Sequence, residues 1–242
     1  LLLLSVVGVV KFITFVYIGV QSTTATNAVI MLSMTPVLIV ALSFLLLRQT
    51  VTGWQTLGIG VSLVGVLVIV GRGDLQSLLA RQFNPGDMWI LAAVLSWALY
   101  SVCLRWRPAE LQPLDFQVTT IILGMALLTP LYGWDLVHAR TFAINGATVA
   151  SILYLALFPS ILAYIFWNRA VAELGANRTG QFLHLMPAFG AILSMIFLDE
   201  RLYAFHGVGI AFIALGIWLA TMYGRRTNPA MDTEARSGFF RK

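Results

Sequence analysis

The chain has 242 residues, of which 59% are hydrophobic and only 10% are charged, and its formal net charge is +5. A soluble domain carries about 25% charged residues because its surface must stay hydrated, so this composition excludes an ordinary water-facing surface and indicates an integral membrane protein. The positive charge does not indicate nucleic-acid binding, because the basic residues are scattered between apolar runs and form no patch interleaved with aromatic residues.

About eight apolar runs follow one another along the chain, and each is long enough to cross a hydrocarbon core of about 30 Å as a helix. They fall at about 1–20, 28–47, 54–71, 87–105, 117–134, 148–168, 179–198 and 206–224. Continuous runs exclude a membrane β-barrel, whose strands alternate between apolar and polar residues. The sequence therefore predicts an all-α polytopic helix bundle. Since the first run begins without an initiator methionine, we expect the chain to be a fragment of a longer protein.

The arginines predict how the bundle is oriented. Alternate loops share one side of the membrane, and one side collects Arg48, Arg105, Arg107, Arg169, Arg178, Arg225 and Arg226. The other side has Arg72, Arg81, Arg140 and Arg201. Because cytoplasmic loops carry the excess of basic residues, we expect the first side and the C-terminal tail, 225–242, to be cytoplasmic.

An internal repeat appears when the chain is shifted by 151 residues, the separation of Gly58 from Gly209. The same shift superimposes Pro36 on Pro187 and Gly65 on Gly216. The second copy, 87–224, has five apolar runs, whereas the first, 1–71, has three and is followed by a loop at 72–86. An odd number of spans per copy predicts that the two copies insert upside down relative to each other, as in many secondary transporters. It also predicts two further helices before residue 1.

A set of short motifs extends over nearly the whole chain, up to about Tyr223. They are Thr23-Thr24-Ala25-Thr26-Asn27-Ala28, Thr35-Pro36-Val37, Gly58-Ile59, Gly65-Val66, Trp97-Ala98-Leu99-Tyr100, Phe158-Pro159-Ser160, Tyr164-Ile165-Phe166-Trp167-Asn168, Leu174-Gly175-Ala176-Asn177-Arg178, Met186-Pro187 and Asp199-Glu200. Together they resemble the drug/metabolite transporter superfamily, EamA type. The resemblance implies ten helices in two inverted five-helix repeats, both termini in the cytoplasm, and transport of metabolites or amino acids across a bacterial inner membrane.

One motif departs from that family, which usually has an acidic residue at the end of the fourth helix of each repeat. The second copy has Asp199-Glu200 there, but the first copy has Arg48-Gln49. The resemblance therefore does not support a symmetric role for this acid pair.

Polar and aromatic residues inside the spans are the candidate substrate pathway, because such groups cost free energy in lipid unless they face the bundle interior or a wet cavity. A spacing of four residues places Ser160, Tyr164 and Asn168 on one stripe of a helix. Gln181 and His184 form a second stripe, and Trp97 lies three residues before Tyr100. For any single residue an ordinary interhelical hydrogen bond is the alternative. The full set is Lys11, Tyr17, Asn27, Pro36, Trp97, Tyr100, Ser160, Tyr164, Asn168, Gln181, His184 and Pro187.

Lys11 is the only basic residue well inside a span. We expect it to face the cavity and meet an anionic substrate group; the alternative is that its long side chain reaches toward the membrane surface. Pro36 and Pro187 lie near the middle of matched spans, where a proline cannot donate its backbone hydrogen bond and kinks the helix. Such paired interruptions indicate a midplane binding site, or a kink that only shapes packing.

The distribution of reactive residues argues against an enzyme. The acids lie at span ends or in loops, His138, His184 and His206 are far apart, and no glycine-rich phosphate loop precedes a lysine. We therefore expect no catalytic residue, metal or cofactor. The sequence predicts a secondary transporter or exporter of small metabolites, amino acids or related compounds among them, with the substrate and the lipid bilayer as its partners. A channel or facilitator, or a non-transporting membrane scaffold, is the alternative.

Overall fold

The computed structural model describes residues 1–74, 76, 84–108, 110–138, 145–198 and 203–222. Every regular element in these ranges is helical. The helices are α1 Leu2–Val20, α2 Ala25–Leu32, α3 Thr35–Leu47, α4 Gly53–Val70, α5 Pro85–Cys103, α6 Pro113–His138, α7 Gly146–Leu174, α8 Ala176–Gln181, α9 Leu185–Leu198 and α10 Ala204–Met222. The acid pair Asp199-Glu200 and the predicted tail, 225–242, lie outside the described residues.

Seven helical stretches of the described chain are long and apolar enough to cross a membrane, and the shorter apolar stretch Leu114–Pro130 lies within α6. These positions match the eight apolar runs, which confirms a polytopic all-α membrane protein. Two of the stretches, Asn27–Leu47 and Ala176–Phe197, each consist of two consecutive helices.

Side-chain caps fix where the central helices begin. The Thr52 hydroxyl accepts from the backbone N–H of Gln55, whose side chain accepts from the Thr52 N–H. Asn84 and Asp87 form the same reciprocal pair at the start of α5, where Pro85 occupies the first turn. The first N–H groups of a helix have no acceptor within the helix. Such reciprocal caps therefore give hydrogen-bond acceptors to donors that would otherwise lack them.

The helices group into two compact units, each drawing on early and late parts of the chain. Unit 1 comprises residues 1–43 and 82–180, and unit 2 comprises residues 44–81 and 181–242. In unit 1, α5 packs against α1 and α2, while α6 packs against α1 and α7. One core of this unit surrounds Tyr100, Phe116 and Tyr164.

Unit 2 is built on the antiparallel pair of α4 and α10, against which α9 packs. Small residues bring the two backbones together. A Cβ on Gly65 would lie 2.6 Å from the carbonyl oxygen of Gly209, and a Cβ on Gly58 would collide with the carbonyl oxygen of Gly216. Since these positions tolerate no side chain, the helices approach as closely as small-residue interfaces in membranes allow.

Candidate functional site

An aromatic centre lies in the middle of unit 1. It consists of Phe12, Trp97, Tyr100, Tyr164 and Trp167, with Trp97 in contact with the other four. The distances from the Trp97 ring centroid are 4.7 Å to Phe12, 5.1 Å to Tyr164, 5.3 Å to Trp167 and 5.4 Å to Tyr100. The Tyr164 ring meets Trp97 edge-on at 89°. Tyr100 and Tyr164 are buried, whereas Trp97 is only half-buried, so part of its indole surface remains accessible.

A chain of hydrogen bonds runs from this centre into α6. The Tyr100 hydroxyl donates to Oδ1 of Asn168 at 2.7 Å, and Nδ2 of Asn168 donates to Oε1 of Gln117 at 2.8 Å. All three side chains are at least 98% buried. We call these three residues the polar chain. Because buried polar groups within a membrane must find partners inside the protein, the polar chain joins α5, α7 and α6 through directional bonds.

Wide helical turns interrupt both α1 and α7 in unit 1. Residues Val6–Lys11 and Ala156–Leu162 are π-helical, and the two segments contain Gly8 and Pro159, which are 151 residues apart and so correspond in the repeat. The Tyr164 hydroxyl donates to the Gly8 carbonyl at 2.6 Å. A single π-helical turn within an α-helix is rare and is found frequently at functional sites. Helices α1 and α7 therefore both depart from regular α-helical geometry close to the aromatic centre.

The predicted proline kinks correspond to a complete helix break before Pro36 and to a short 3-10 interruption before Pro187. Helix α2 ends at Leu32, α3 begins at Thr35, and Pro36 lies in the first turn of α3, where its missing N–H costs nothing. The Leu32 carbonyl accepts from the Thr35 hydroxyl at 2.5 Å. In unit 2, Pro187 likewise lies in the first turn of α9, after the short 3-10 segment Phe182–His184.

Two buried polar side chains precede α9 in unit 2. The Ser62 hydroxyl lies 2.5 Å from Nδ1 of His184. Gln181 is 99% buried, and neither its amide oxygen nor its amide nitrogen has a hydrogen-bond partner among the described residues. Both Gln181 and His184 are thus buried in unit 2.

A buried carboxylate lies at the other end of α5 from Cys103. Asp87 is 99% buried and accepts from the Thr23 hydroxyl, from Nδ2 of Asn27 at 3.2 Å and from the backbone N–H of Asn84 at 3.0 Å. The first turn of α5 also packs directly on the segment before α2, because a Cβ on Gly86 would lie 2.6 Å from the Gly19 carbonyl oxygen. Asp87 therefore ties the start of α5 to the start of α2.

The structure brings four of the twelve predicted pathway residues together: Trp97, Tyr100, Tyr164 and Asn168 form one cluster. Asn27 belongs to the separate Asp87 cluster. Lys11 and Tyr17 are exposed on unit 1, and the Ser160 hydroxyl donates to the Leu155 carbonyl of its own helix at 2.8 Å.

Sequence reasoning missed Gln117, Ser101 and Asp87. Ser101 accepts from the indole N–H of Trp167 at 3.1 Å. The sequence held one signal for Gln117: it and Thr120 are polar residues three apart in an apolar run and so share a helix face. Asp87 resembled an ordinary acid of a first helical turn, and the two side chains that bind it, Thr23 and Asn27, come from 60 residues or more away in the chain. Among the described residues no group of three or more histidines, cysteines or acids is arranged to hold a metal ion.

Residues 1–71 and 84–222 match the EamA-like transporter family. The chain is 32% identical over 227 residues to the uncharacterized transporter YetK of Bacillus subtilis, covering 92% of this chain and 67% of the relative. It is 25% identical over 223 residues to YyaM of the same organism, another uncharacterized transporter, covering 91% and 72% of the two chains.

A third relative, from Streptantibioticus cattleyicolor, is named a probable terminal-alkyne amino-acid exporter. It is 28% identical over 203 residues, covering 84% of this chain and 65% of the relative. A solved crystal structure superimposes on 93% of this chain and 76% of its own with a TM-score of 0.76. At 18% identity that likeness concerns the fold alone.

Proposed function

Because the chain belongs to the EamA-like transporter family, we propose that it is a secondary transporter that moves a small metabolite across the cytoplasmic membrane of a bacterium by alternating access. One observation carries this proposal: the aromatic centre and the polar chain lie together inside the spans of unit 1. Small-molecule sites typically combine aromatic walls with a few placed polar groups. Polar groups at this depth in a membrane protein are costly and mark substrate pathways.

Alternating access is supported by the pairing of α4 with α10. Gly58 contacts Gly216, and Gly65 contacts Gly209. In the repeat, Gly58 corresponds to Gly209 and Gly65 to Gly216, so exchanging the two copies converts the first contact into the second. The contact of Gly58 with Ala220 likewise becomes that of Gly209 with Ile69. These relations are those of a local two-fold axis between antiparallel helices. They favour two oppositely inserted repeats, 1–71 and 87–224, which would expose one site to each side in turn.

We propose a neutral amino acid as the substrate class. The faces of tryptophan and tyrosine rings attract an ammonium group, and the amide groups of the polar chain suit a carboxylate. The polar chain is uncharged, so a zwitterion without a charged side chain would bring no net charge into the membrane interior. The amino-acid exporter among the relatives supports the same class. The arginine distribution places the C-terminus in the cytoplasm in this proposal.

Counterflow in proteoliposomes tests this function. Vesicles containing the protein are loaded with unlabelled L-leucine, and uptake of trace labelled L-leucine, L-methionine and L-phenylalanine is followed. A carrier that alternates is accelerated by substrate on the far side, whereas a channel is not. We expect saturable uptake that internal L-leucine accelerates. Uptake that equals empty vesicles for every amino acid, or that is linear in concentration, would contradict the proposal.

A matched pair of tryptophan variants connects that flux to the site. Trp97→Ala removes four ring contacts of about 0.5–1.5 kcal/mol each and is expected to lower the flux at least about tenfold. Trp106→Ala, at a position that is 57% exposed, should leave the flux near that of the unaltered protein. Equal fluxes for the two variants would remove the aromatic centre from the pathway.

A further inference from the structure

The amide nitrogen of Gln117 is a buried donor beside the aromatic centre. Gln117 is 98% buried, and its Nε2 has no hydrogen-bond partner among the described residues. An unsatisfied buried donor destabilises the protein that carries it, and an acceptor on a bound molecule removes the penalty. Resting on the proposed function, we propose that Gln117 is a specificity-determining residue whose Nε2 donates to the carboxylate of an amino-acid substrate.

The polar chain fixes which end of the Gln117 amide is available. Its Oε1 accepts from Nδ2 of Asn168, and Oδ1 of Asn168 accepts from the Tyr100 hydroxyl. Each of the two amide oxygens therefore already accepts a hydrogen bond, and Nε2 of Gln117, at the end of the polar chain, is the donor without a partner among the residues that the structure describes. With Oδ1 of Asn168 accepting from Tyr100, reversing the Gln117 amide alone would set two N–H groups against each other.

Two hydrogen bonds connect this donor to the aromatic centre. Gln117 is bonded to Asn168, and Asn168 to Tyr100, which is a ring of the aromatic centre. The preceding residue, Phe116, is fully buried in the same core as Tyr100 and Tyr164. Hydrogen bonds from a neutral amide to a carboxylate are stronger than those between neutral groups.

The inference predicts a selective defect. Gln117→Glu keeps the length of the side chain and an oxygen for Asn168 but replaces the donor with an acceptor. We expect the KM for L-leucine counterflow to rise about tenfold or more with little change in maximal rate. Isoamylamine, which is leucine without its carboxylate, should inhibit trace L-leucine uptake by the variant and by the unaltered protein at the same concentration. Gln112→Glu, an exposed position just before α6, is the matched control and should leave the KM unchanged.

Two outcomes overturn the inference. One is an unchanged KM for L-leucine in Gln117→Glu; the other is a parallel loss of affinity for L-leucine and isoamylamine, which a merely structural role would produce. If the glutamate variant does not fold, Gln117→Met, which retains the volume but lacks the donor, must give the same selective loss. L-Leucine counterflow by the unaltered protein tests the proposed function separately. If that counterflow is present but the Gln117 variants behave like the unaltered protein, only the role of Gln117 is refuted.

Discussion

The carbonyl oxygen of Gly216 occupies the space that a Cβ on Gly58 would need, and the carbonyl oxygen of Gly58 stands in the same relation to Gly216. This reciprocity makes the contact between α4 and α10 self-complementary, as at the interface of a two-fold dimer. The two helices belong to one chain, so the symmetry lies between segments of the protein itself.

Substitution of Gly58 by alanine is expected to destabilise unit 2 by about 1–3 kcal/mol, because the added methyl group meets backbone atoms that cannot move independently. Gly60→Ala is the control on the same helix, since nothing lies within 4 Å of a Cβ there. It should be neutral or slightly stabilising, as alanine favours helix. Thermal unfolding of the purified variants in detergent measures the difference. Equal melting temperatures would show that the helices are not held this closely.

Gly209→Ala tests the symmetry separately. Its Cβ would meet the Gly65 carbonyl oxygen at 2.7 Å and collide with the Ile69 side chain. Gly65 and Ile69 correspond in the repeat to Gly216 and Ala220, the residues that oppose Gly58. We therefore expect a loss of melting temperature close to that of Gly58→Ala. If Gly209→Ala left the melting temperature unchanged while Gly58→Ala lowered it strongly, the two contacts would not contribute equally to stability despite their symmetry.

Asp87→Asn is expected to destabilise unit 1 by about 1–3 kcal/mol. The carboxylate accepts from three groups, and an asparagine would turn one of its two oxygens into a donor that faces donors. Asp115→Asn, which changes the same group on an exposed side chain, should have little effect. The comparison is again made by thermal unfolding in detergent, and a melting temperature unchanged in both variants would refute the assigned role of Asp87.

Tyr164→Phe isolates the hydroxyl that reaches the π-helical turn of α1. It keeps the edge-on ring contact with Trp97 but loses the 2.6 Å bond to the Gly8 carbonyl. We expect a loss of about 1 kcal/mol in stability and slower L-leucine counterflow. Tyr154→Phe, at a position that is 59% exposed, is the control. Counterflow at the control rate would separate the π-helical turn from transport.

Composition and periodicity were enough to predict the helices, because each span depends on a local run of apolar residues that can be read directly. The same is true of Tyr164 and Asn168, whose spacing of four residues places them on one helix face. The proline positions were also readable, although a complete break replaced the predicted kink at Pro36. A proline indicates that a backbone bond is missing, but it does not show that the neighbouring Thr35 hydroxyl takes over the Leu32 carbonyl.

The partners across helices were not predictable in the same way. Nothing near Asp87 in the sequence indicates that Thr23 and Asn27 will surround it, and Gln117 gains its meaning only through Asn168. Lys11 is exposed on unit 1, and its expected position facing a cavity stays a prediction. A charge within an apolar run shows that a polar environment is required, but the side on which that environment lies depends on how the helices pack.

Labelling from the two sides of the membrane tests the central claim of oppositely inserted repeats most directly. Single cysteines at Gly53 and Ala204, which begin α4 and α10, are introduced after Cys103→Ser and treated in spheroplasts with a membrane-impermeant thiol reagent. Oppositely inserted repeats predict labelling of Ala204→Cys in intact spheroplasts and of Gly53→Cys only after lysis. Labelling of both positions from the same side would contradict it.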